Sequence, residues 1–128
     1  MFAMVFLTVL VLLWMFRARV RAVKNGDVSF RYFKTYDVGT QPEYAAKASR
    51  HFTDLFEVPV LFYAGVTLAL VIPITGFWIQ FWAWLFVAAR CIHAIIHLGP
   101  NKLLPRMSAY GIGWISVLAI WISLLIHI

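Results

Sequence analysis

The sequence predicts an all-α membrane protein, with four transmembrane helices forming a single domain over 1–128. Hydrophobic residues make up 63% of the chain and charged residues 12%, which leaves more apolar surface than a soluble domain can bury. The apolar residues fall into four runs, each close to the roughly 20 residues that a helix needs to cross a bilayer. Charged residues cluster at the ends of these runs, as expected for spans with polar connections.

The first span is predicted over about 2–23. Met1 to Phe16 is apolar except for Thr8, and basic residues follow at once: Arg17, Arg19, Arg21 and Lys24. The segment has neither a positive region before its apolar core nor a small-residue cleavage site after it, so we expect an uncleaved helix. The basic residues are expected to hold its end on the cytoplasmic side.

The segment 25–42 is predicted to be a cytoplasmic loop. Asn25-Gly26-Asp27 is typical of a turn, and 28–33 has no clear period, so we expect irregular structure there. Thr40 is a candidate helix cap, with a proline in the first turn and Glu43 three residues after the cap. This pattern is a capping box and predicts the start of a helix.

The second helix is predicted from about Gln41 to Ile72, with its span over 43–72. Pro59 lies inside it and is expected to kink a continuous helix. A turn without charges, Pro73 to Gly76, then leads to a third span over 77–98, whose opening tryptophans suit a membrane interface: Trp78, Trp82 and Trp84. The fourth span is predicted over 105–127, and small residues on one of its faces suit close helix packing: Ala109, Gly113 and Ser116.

Charge bias predicts the orientation of the four spans. Nine of the eleven Lys and Arg residues lie at the end of span one, the start of span two, the end of span three or the start of span four, and the other two, Arg31 and Lys34, lie in the loop between spans one and two. An alternating path puts these at one face, and the positive-inside rule makes that face cytoplasmic. We therefore expect a multi-pass inner-membrane protein in contact with lipid, with both termini periplasmic. The net charge of +6 is explained by this topology, and we expect no nucleic-acid partner.

Two stripes of polar residues lie where apolar runs meet the cytoplasmic face. The first combines four charged residues at helical spacing, Lys47, Arg50, Asp54 and Glu57. The second lies on the third helix and comprises Arg90, His93 and His97. Ionisable groups at the edge of a bilayer are costly unless they face protein or water, so both stripes are candidate sites.

The residues leave two interpretations of these stripes open. Several arginines with a carboxylate suit a zwitterionic ligand that carries more than one carboxylate, because guanidinium groups bind carboxylates bidentately. The alternative is a structural network, in which Arg50 pairs with Asp54 and Glu57 pairs with Arg90 across helices. Lys47 is expected to form an exposed pair with Glu43.

The histidines also permit a metal or haem site, made by His93 and His97 with His51 on the other helix. No cysteine or acid completes the set in the sequence, and the neighbouring Arg90 disfavours a cation. We therefore expect no metal. The single cysteine, Cys91, excludes an internal disulfide and is expected to be a small buried hydrophobe.

With these two stripes, the chain resembles the MAPEG family, the membrane-associated proteins in eicosanoid and glutathione metabolism. That family has a second-helix pattern of a basic residue, two residues, Arg, three residues, Asn, two residues and Glu, which here is the first stripe. Its third-helix pattern is Arg, two residues, Tyr, three residues and Tyr, which here is the second stripe. Asp54 replaces the Asn, and His93 and His97 replace the tyrosines. The segment DLFEVPVLFY resembles sequences of the bacterial branch of this family.

The resemblance implies a homotrimer of four-helix protomers, with glutathione as cosubstrate between neighbouring protomers near the cytoplasmic face. By position it implies these glutathione contacts: Arg50, Asp54, Glu57, Arg90, His93 and His97. Arg106, near the start of the fourth helix, becomes the candidate for thiol activation, and Arg21 a second candidate for holding a carboxylate. The activity implied is a glutathione transferase or peroxidase acting on lipophilic substrates.

Two other functions remain open. The altered Asn and Tyr positions and the exposed aromatic residues favour, as the alternative, a non-catalytic accessory subunit of a larger membrane complex. A small transporter is disfavoured, because such carriers place an acid deep in a span, whereas Asp54 and Glu57 lie near one end.

Overall fold

A computed structural model describes residues 1–36 and 39–127. Asp37 and Val38, in the predicted loop, and Ile128 lie outside the described residues. The helices are, in chain order, α1 (Phe2–Lys24), α2 (Tyr32–Thr35), α3 (Glu43–Asp54), α4 (Val58–Val71), α5 (Phe77–Leu98) and α6 (Leu103–His127). In the described part of the chain, four helical segments are long and apolar enough to cross a membrane: α1, α3 with α4, α5, and α6. The predicted all-α, four-span fold is confirmed.

The second span differs from the continuous helix expected over 41–72, because α3 ends at Asp54 and α4 begins at Val58. Pro59 has no N–H to donate to the carbonyl four residues earlier, and its ring disfavours a helical residue before it. It lies instead in the first turn of α4, where a proline is tolerated. The backbone N–H groups of residues 55–57 donate hydrogen bonds to carbonyls three residues earlier, as in a 3₁₀ turn. One example is the bond of 2.9 Å from the Phe56 N–H to the Thr53 carbonyl.

The start of α3 also differs from the prediction. Pro42 is the N-cap, no side chain caps the helix, and Thr40 therefore does not form the expected capping box. The Glu43 carboxylate lies 2.8 Å from the Lys47 ammonium, so it pairs forward along the helix instead of bonding back to a cap. This is the exposed pair predicted from the i, i+4 spacing.

The apolar core lies between α4, α5 and α6. The rings of Phe62 and Phe86 stack at 4.4 Å between centroids. Gly65 brings α4 against α6, because a β-carbon at this position would lie 3.2 Å from Ile120 and 3.3 Å from the Trp121 indole nitrogen. That nitrogen donates a hydrogen bond of 3.2 Å to the Leu61 carbonyl. The second span is thereby fixed against α6.

Small residues hold the polar ends of the helices close together. Alanines of α1 and α3 form a second buried cluster: Ala18, Ala22, Ala45 and Ala48. On α6, the predicted small-residue face is buried, and at Gly113 a β-carbon would lie 3.4 Å from the Arg90 Nε. Close packing therefore brings the polar residues of α3, α5 and α6 into one region.

Candidate functional site: a polar cleft above a histidine cluster

The two predicted stripes meet at a cleft between α3, α5 and α6. The cleft has a volume of about 450 Å³ and is lined by Arg50, Asp54, His93, His97, Arg106, Met107, Tyr110 and Gly111. This volume is within the range of small-molecule sites. The lining mixes two arginines with a carboxylate, two imidazoles and a phenol, so it suits a polar or charged ligand.

Arg50 and Asp54 reach the cleft from the last turns of α3. They are four residues apart and so lie on the same face of the helix. Arg50 is exposed and Asp54 is partly buried. No Arg50–Asp54 ion pair is found among the described residues, in contrast to the structural-network interpretation. The Arg50 guanidinium is therefore available to a ligand.

Three histidines form a compact cluster, which we call the histidine cluster: His51 of α3 with His93 and His97 of α5. Their ring centroids lie 5.4 Å (His51 to His93), 5.1 Å (His51 to His97) and 5.6 Å (His93 to His97) apart. All three side chains are buried, and His51 is 0% exposed. The cluster therefore lies in the interior, beside the cleft that His93 and His97 also line.

Asp54 closes the histidine cluster on the side of the cleft. Its Oδ2 lies 3.9 Å from the Nε2 of His93 and 3.8 Å from the Nε2 of His97. The sequence pattern shows no acid that completes the histidine set, but in the fold Asp54 completes it. Asp54 follows His51 by three residues on α3, so docking α3 against α5 brings the carboxylate to both α5 histidines.

The His93 ring is oriented by a hydrogen bond at Nδ1, the ring nitrogen that does not face Asp54. Its Nδ1 lies 3.2 Å from the backbone carbonyl oxygen of Arg106. A carbonyl can only accept, so this contact makes Nδ1 the protonated nitrogen and leaves a lone pair on Nε2. Nε2 is the ring nitrogen that lies 3.9 Å from the Asp54 Oδ2, and these two acceptors repel each other unless a proton or a cation lies between them.

Arg90 is buried behind the cleft and is 0% exposed. Its guanidinium carbon lies 5.2 Å from the Phe86 ring centroid and 5.0 Å from that of Tyr110, so it is sandwiched between two aromatic rings. None of its three guanidinium nitrogens has a hydrogen-bond partner among the described residues. The alternative pairing with Glu57 is likewise not found there.

Arg106 enters the cleft from the first turn of α6. Its Nη1 donates a hydrogen bond of 2.8 Å to the Asn101 side-chain oxygen. This bond orients the guanidinium and leaves further N–H donors for a ligand. Arg106, the predicted residue for thiol activation, therefore lines the same cleft as Arg50.

Besides Arg90, which lies behind the cleft, two of the predicted glutathione contacts lie outside it. Glu57 is exposed at the N-cap of α4, after the break in the second span, and is not among the cleft residues. Arg21 lines a separate cavity with Trp14 and Tyr44. The stripe expected to run from Lys47 to Glu57 thus ends at Asp54, because the helix that would have aligned these residues ends there.

Tyr110 is a cleft residue that sequence reasoning missed. Its ring lies 5.8 Å from that of His93 and also contacts Arg90. It follows Arg106 by four residues and so shares the same face of α6. The four-residue spacing of Arg106 and Tyr110 is the sequence signal for this residue, because it places two polar side chains on one face of the fourth helix.

Together the fold and the cleft define a four-span α-helical membrane protein with a polar site near one end of the bundle. A family model described as the MAPEG family matches residues 1–126. The chain therefore belongs to the MAPEG family. No curated protein and no solved structure gave a significant match to it.

Proposed function

We propose that this protein binds glutathione in the cleft and transfers it to lipophilic electrophiles or uses it to reduce lipid hydroperoxides. The observation that carries the proposal is the convergence of Arg50, Asp54 and Arg106, from α3 and α6, on one cleft of about 450 Å³. The family implies the same ligand at these positions. The site would lie at the cytoplasmic face of the inner membrane, with the termini periplasmic.

The two cleft arginines support a ligand with two carboxylates. Arg50 has no ion-pair partner among the described residues, and Arg106 keeps free N–H donors beside its bond to Asn101. Guanidinium groups bind carboxylates through paired N–H donors. Asp54 supplies the opposite charge that an ammonium group requires. Glutathione carries two carboxylates and one ammonium group, so its charges match this lining.

The same lining supports thiol activation. A thiolate is the reactive form of a thiol, and nearby cations and hydrogen-bond donors stabilise it. Arg106 supplies a cation in the cleft, and Tyr110 supplies a phenolic hydroxyl. The lipophilic acceptor would approach from the bilayer between helices, where large apolar side chains such as Ile112 and Ile115 are exposed.

A homotrimer is part of the proposal, because the family places glutathione between neighbouring protomers. Within one chain, Glu57 is exposed outside the cleft, and Arg90 has no hydrogen-bond partner among the described residues. Because Glu57 is exposed, a neighbouring protomer would complete the site by contacting it, whereas Arg90 is 0% exposed and lies inside its own protomer. Size-exclusion chromatography with light scattering in detergent should then give the protein mass of three chains.

The activity is tested by two assays on detergent-purified protein, conjugation of glutathione to an aryl halide and reduction of cumene hydroperoxide. Arg106→Gln should lower turnover by about tenfold or more, because it removes the cation nearest the proposed thiolate. Arg21→Gln is the matched control, since Arg21 lines a different cavity. Equal rates in both variants and the wild type, or no activity in any of them, would contradict the enzyme proposal.

The second candidate function is a non-catalytic subunit of a larger membrane complex. It is favoured by one observation: Glu57, which the family pattern gives as a glutathione contact, lies outside the cleft. This candidate predicts a protein that neither binds glutathione nor turns over either substrate, and that co-purifies from native membranes with a fixed partner.

A further inference from the structure

We propose that the histidine cluster and Asp54 form a site for one divalent transition-metal ion, bound by His51, His93, His97 and Asp54. This site shares Asp54, His93 and His97 with the wall of the cleft, and the proposal does not depend on glutathione as the ligand of that cleft. Imidazole nitrogen is a preferred ligand of Zn²⁺, Fe²⁺, Ni²⁺ and Cu²⁺, and three imidazoles with one carboxylate satisfy a four-coordinate ion.

The donor atoms are close enough to share an ion. One donor atom from each of His51, Asp54 and His97 lies within 4.8 Å of the other two. The fourth donor, His93 Nε2, lies 3.9 Å from the Asp54 Oδ2. Ligand atoms of a tetrahedral site with bonds of about 2.0–2.1 Å are about 3.3 Å apart. The donor atoms of His51, Asp54 and His97 therefore need to approach one another by about 1.5 Å or less, and His93 joins the set through its contact with Asp54.

The tautomer of His93 suits metal binding. Its Nδ1–H donates to the Arg106 carbonyl, which leaves the Nε2 lone pair facing the cluster. Metal-binding histidines usually have such a second bond, from the other ring nitrogen to a carbonyl or carboxylate. The backbone of α6 therefore orients one ligand before any ion arrives.

Several nitrogens of the cluster have no other partner. Among the described residues, both ring nitrogens of His51, Nε2 of His93 and Nδ1 of His97 are buried without a hydrogen bond. Buried polar atoms are normally paired, and leaving one unpaired costs roughly 1–3 kcal/mol. His51 is 0% exposed, and its ring lies stacked on that of His93 and tilted by 33° to that of His97. An ion between them would take one lone pair from each ring, so it would give a partner to one of the two His51 nitrogens.

Charge is the main opposing factor, because Arg90 and Arg106 lie close to the cluster. The Arg90 guanidinium is held against the rings of Phe86 and Tyr110 instead of against the histidines. The Arg106 guanidinium bonds to Asn101, and only its carbonyl contacts His93. The Asp54 carboxylate, 3.8 Å from His97, offsets one positive charge at the centre of the cluster.

Co²⁺ alone is the probe, because tetrahedral Co²⁺ gives a strong visible absorption. The full chain, purified in detergent through a tag without histidines and stripped with a chelator, should bind one Co²⁺ per chain and show a rise in Tm. Asp54→Asn, which keeps the side-chain shape, and His97→Gln should each weaken binding by at least about tenfold. The matched control is His127→Gln, since His127 bonds locally to the Ser123 carbonyl at the end of α6.

Three outcomes would overturn the proposal: no saturable Co²⁺ absorption with wild-type protein, binding unaffected by both cluster substitutions, or equal loss in His127→Gln. A Tm measurement without metal checks that each variant is folded. If one of the two cluster variants does not fold, the other still tests the proposal. Arg50→Ala should keep Co²⁺ binding. Failure of the metal site is therefore distinguishable from failure of glutathione binding.

Discussion

Asp54 belongs to both proposals for this protein, and in both its negative charge attracts a cation: an ammonium group in one and a metal ion in the other. The MAPEG pattern described above has a neutral amide at this position, whereas Asp54 brings a carboxylate within 4 Å of two imidazole nitrogens. A carboxylate is a metal ligand and a neutral amide is a poor one. The acid therefore marks the difference between this cleft and the pattern of the family.

Asp54→Asn should consequently separate the two functions. The substitution keeps a side-chain oxygen that can accept a hydrogen bond from the glutathione ammonium group, but it removes a metal-binding carboxylate. We therefore predict that glutathione affinity falls by about threefold, while Co²⁺ affinity falls at least about tenfold. Calorimetric titrations of one preparation with each ligand would measure both. Parallel loss of both ligands, in a variant with unchanged Tm, would contradict the separate roles.

At the scale of the elements, the sequence specified the positions of the long helices because apolar length is set by the bilayer. The third span was placed at 77–98, where α5 lies. The break at 55–57 was not predicted, because a proline in a transmembrane helix permits either a kink or a restart. The restart moves Glu57 out of the stripe, and so the composition of the cleft could be predicted only in part.

The tryptophans at the start of α5 show a similar limit. Trp78 and Trp84 are 65% and 68% exposed, as suits an interface, whereas Trp82 packs against the core. Sequence spacing places residues on a helix face but does not say which neighbour covers that face. For the same reason, spacing alone did not show that Asp54 and His51 would meet the α5 histidines, since that contact depends on how α3 docks.

Packing between α4 and α6 gives a test of the fold. Gly65→Val should lower stability by about 1–3 kcal/mol, because the new side chain meets Ile120 and Trp121. Gly111→Val is the matched control: Gly111 is also helical, and a β-carbon there has nothing within 4 Å. Thermal denaturation in detergent measures both. Valine has a higher helix propensity than glycine, so propensity does not lower the stability of either variant. Equal loss in the two variants would contradict the α4–α6 contact as the source of the cost.

At the scale of the whole molecule, charge bias predicts the orientation. In a Cys91→Ala background, a cysteine at Ser29 should react with a membrane-impermeant maleimide only after cells are opened. A cysteine at Thr75, in the uncharged turn between α4 and α5, should react in cells whose outer membrane alone is permeabilised. Both side chains are exposed, so labelling reports the side of the membrane. The reverse pattern would contradict the proposed cytoplasmic cleft.

The central claim is that the cleft binds glutathione, and calorimetry on the detergent-purified protein tests it most directly. Wild-type protein should bind glutathione, and Arg50→Ala should weaken binding by about tenfold or more, since hydrogen bonds between charged groups contribute roughly 1.5–3 kcal/mol. Arg31→Ala is the matched control, because Arg31 is exposed at the start of α2 and is not among the cleft residues. No binding by folded wild-type protein, or equal affinity in Arg50→Ala, would contradict the account.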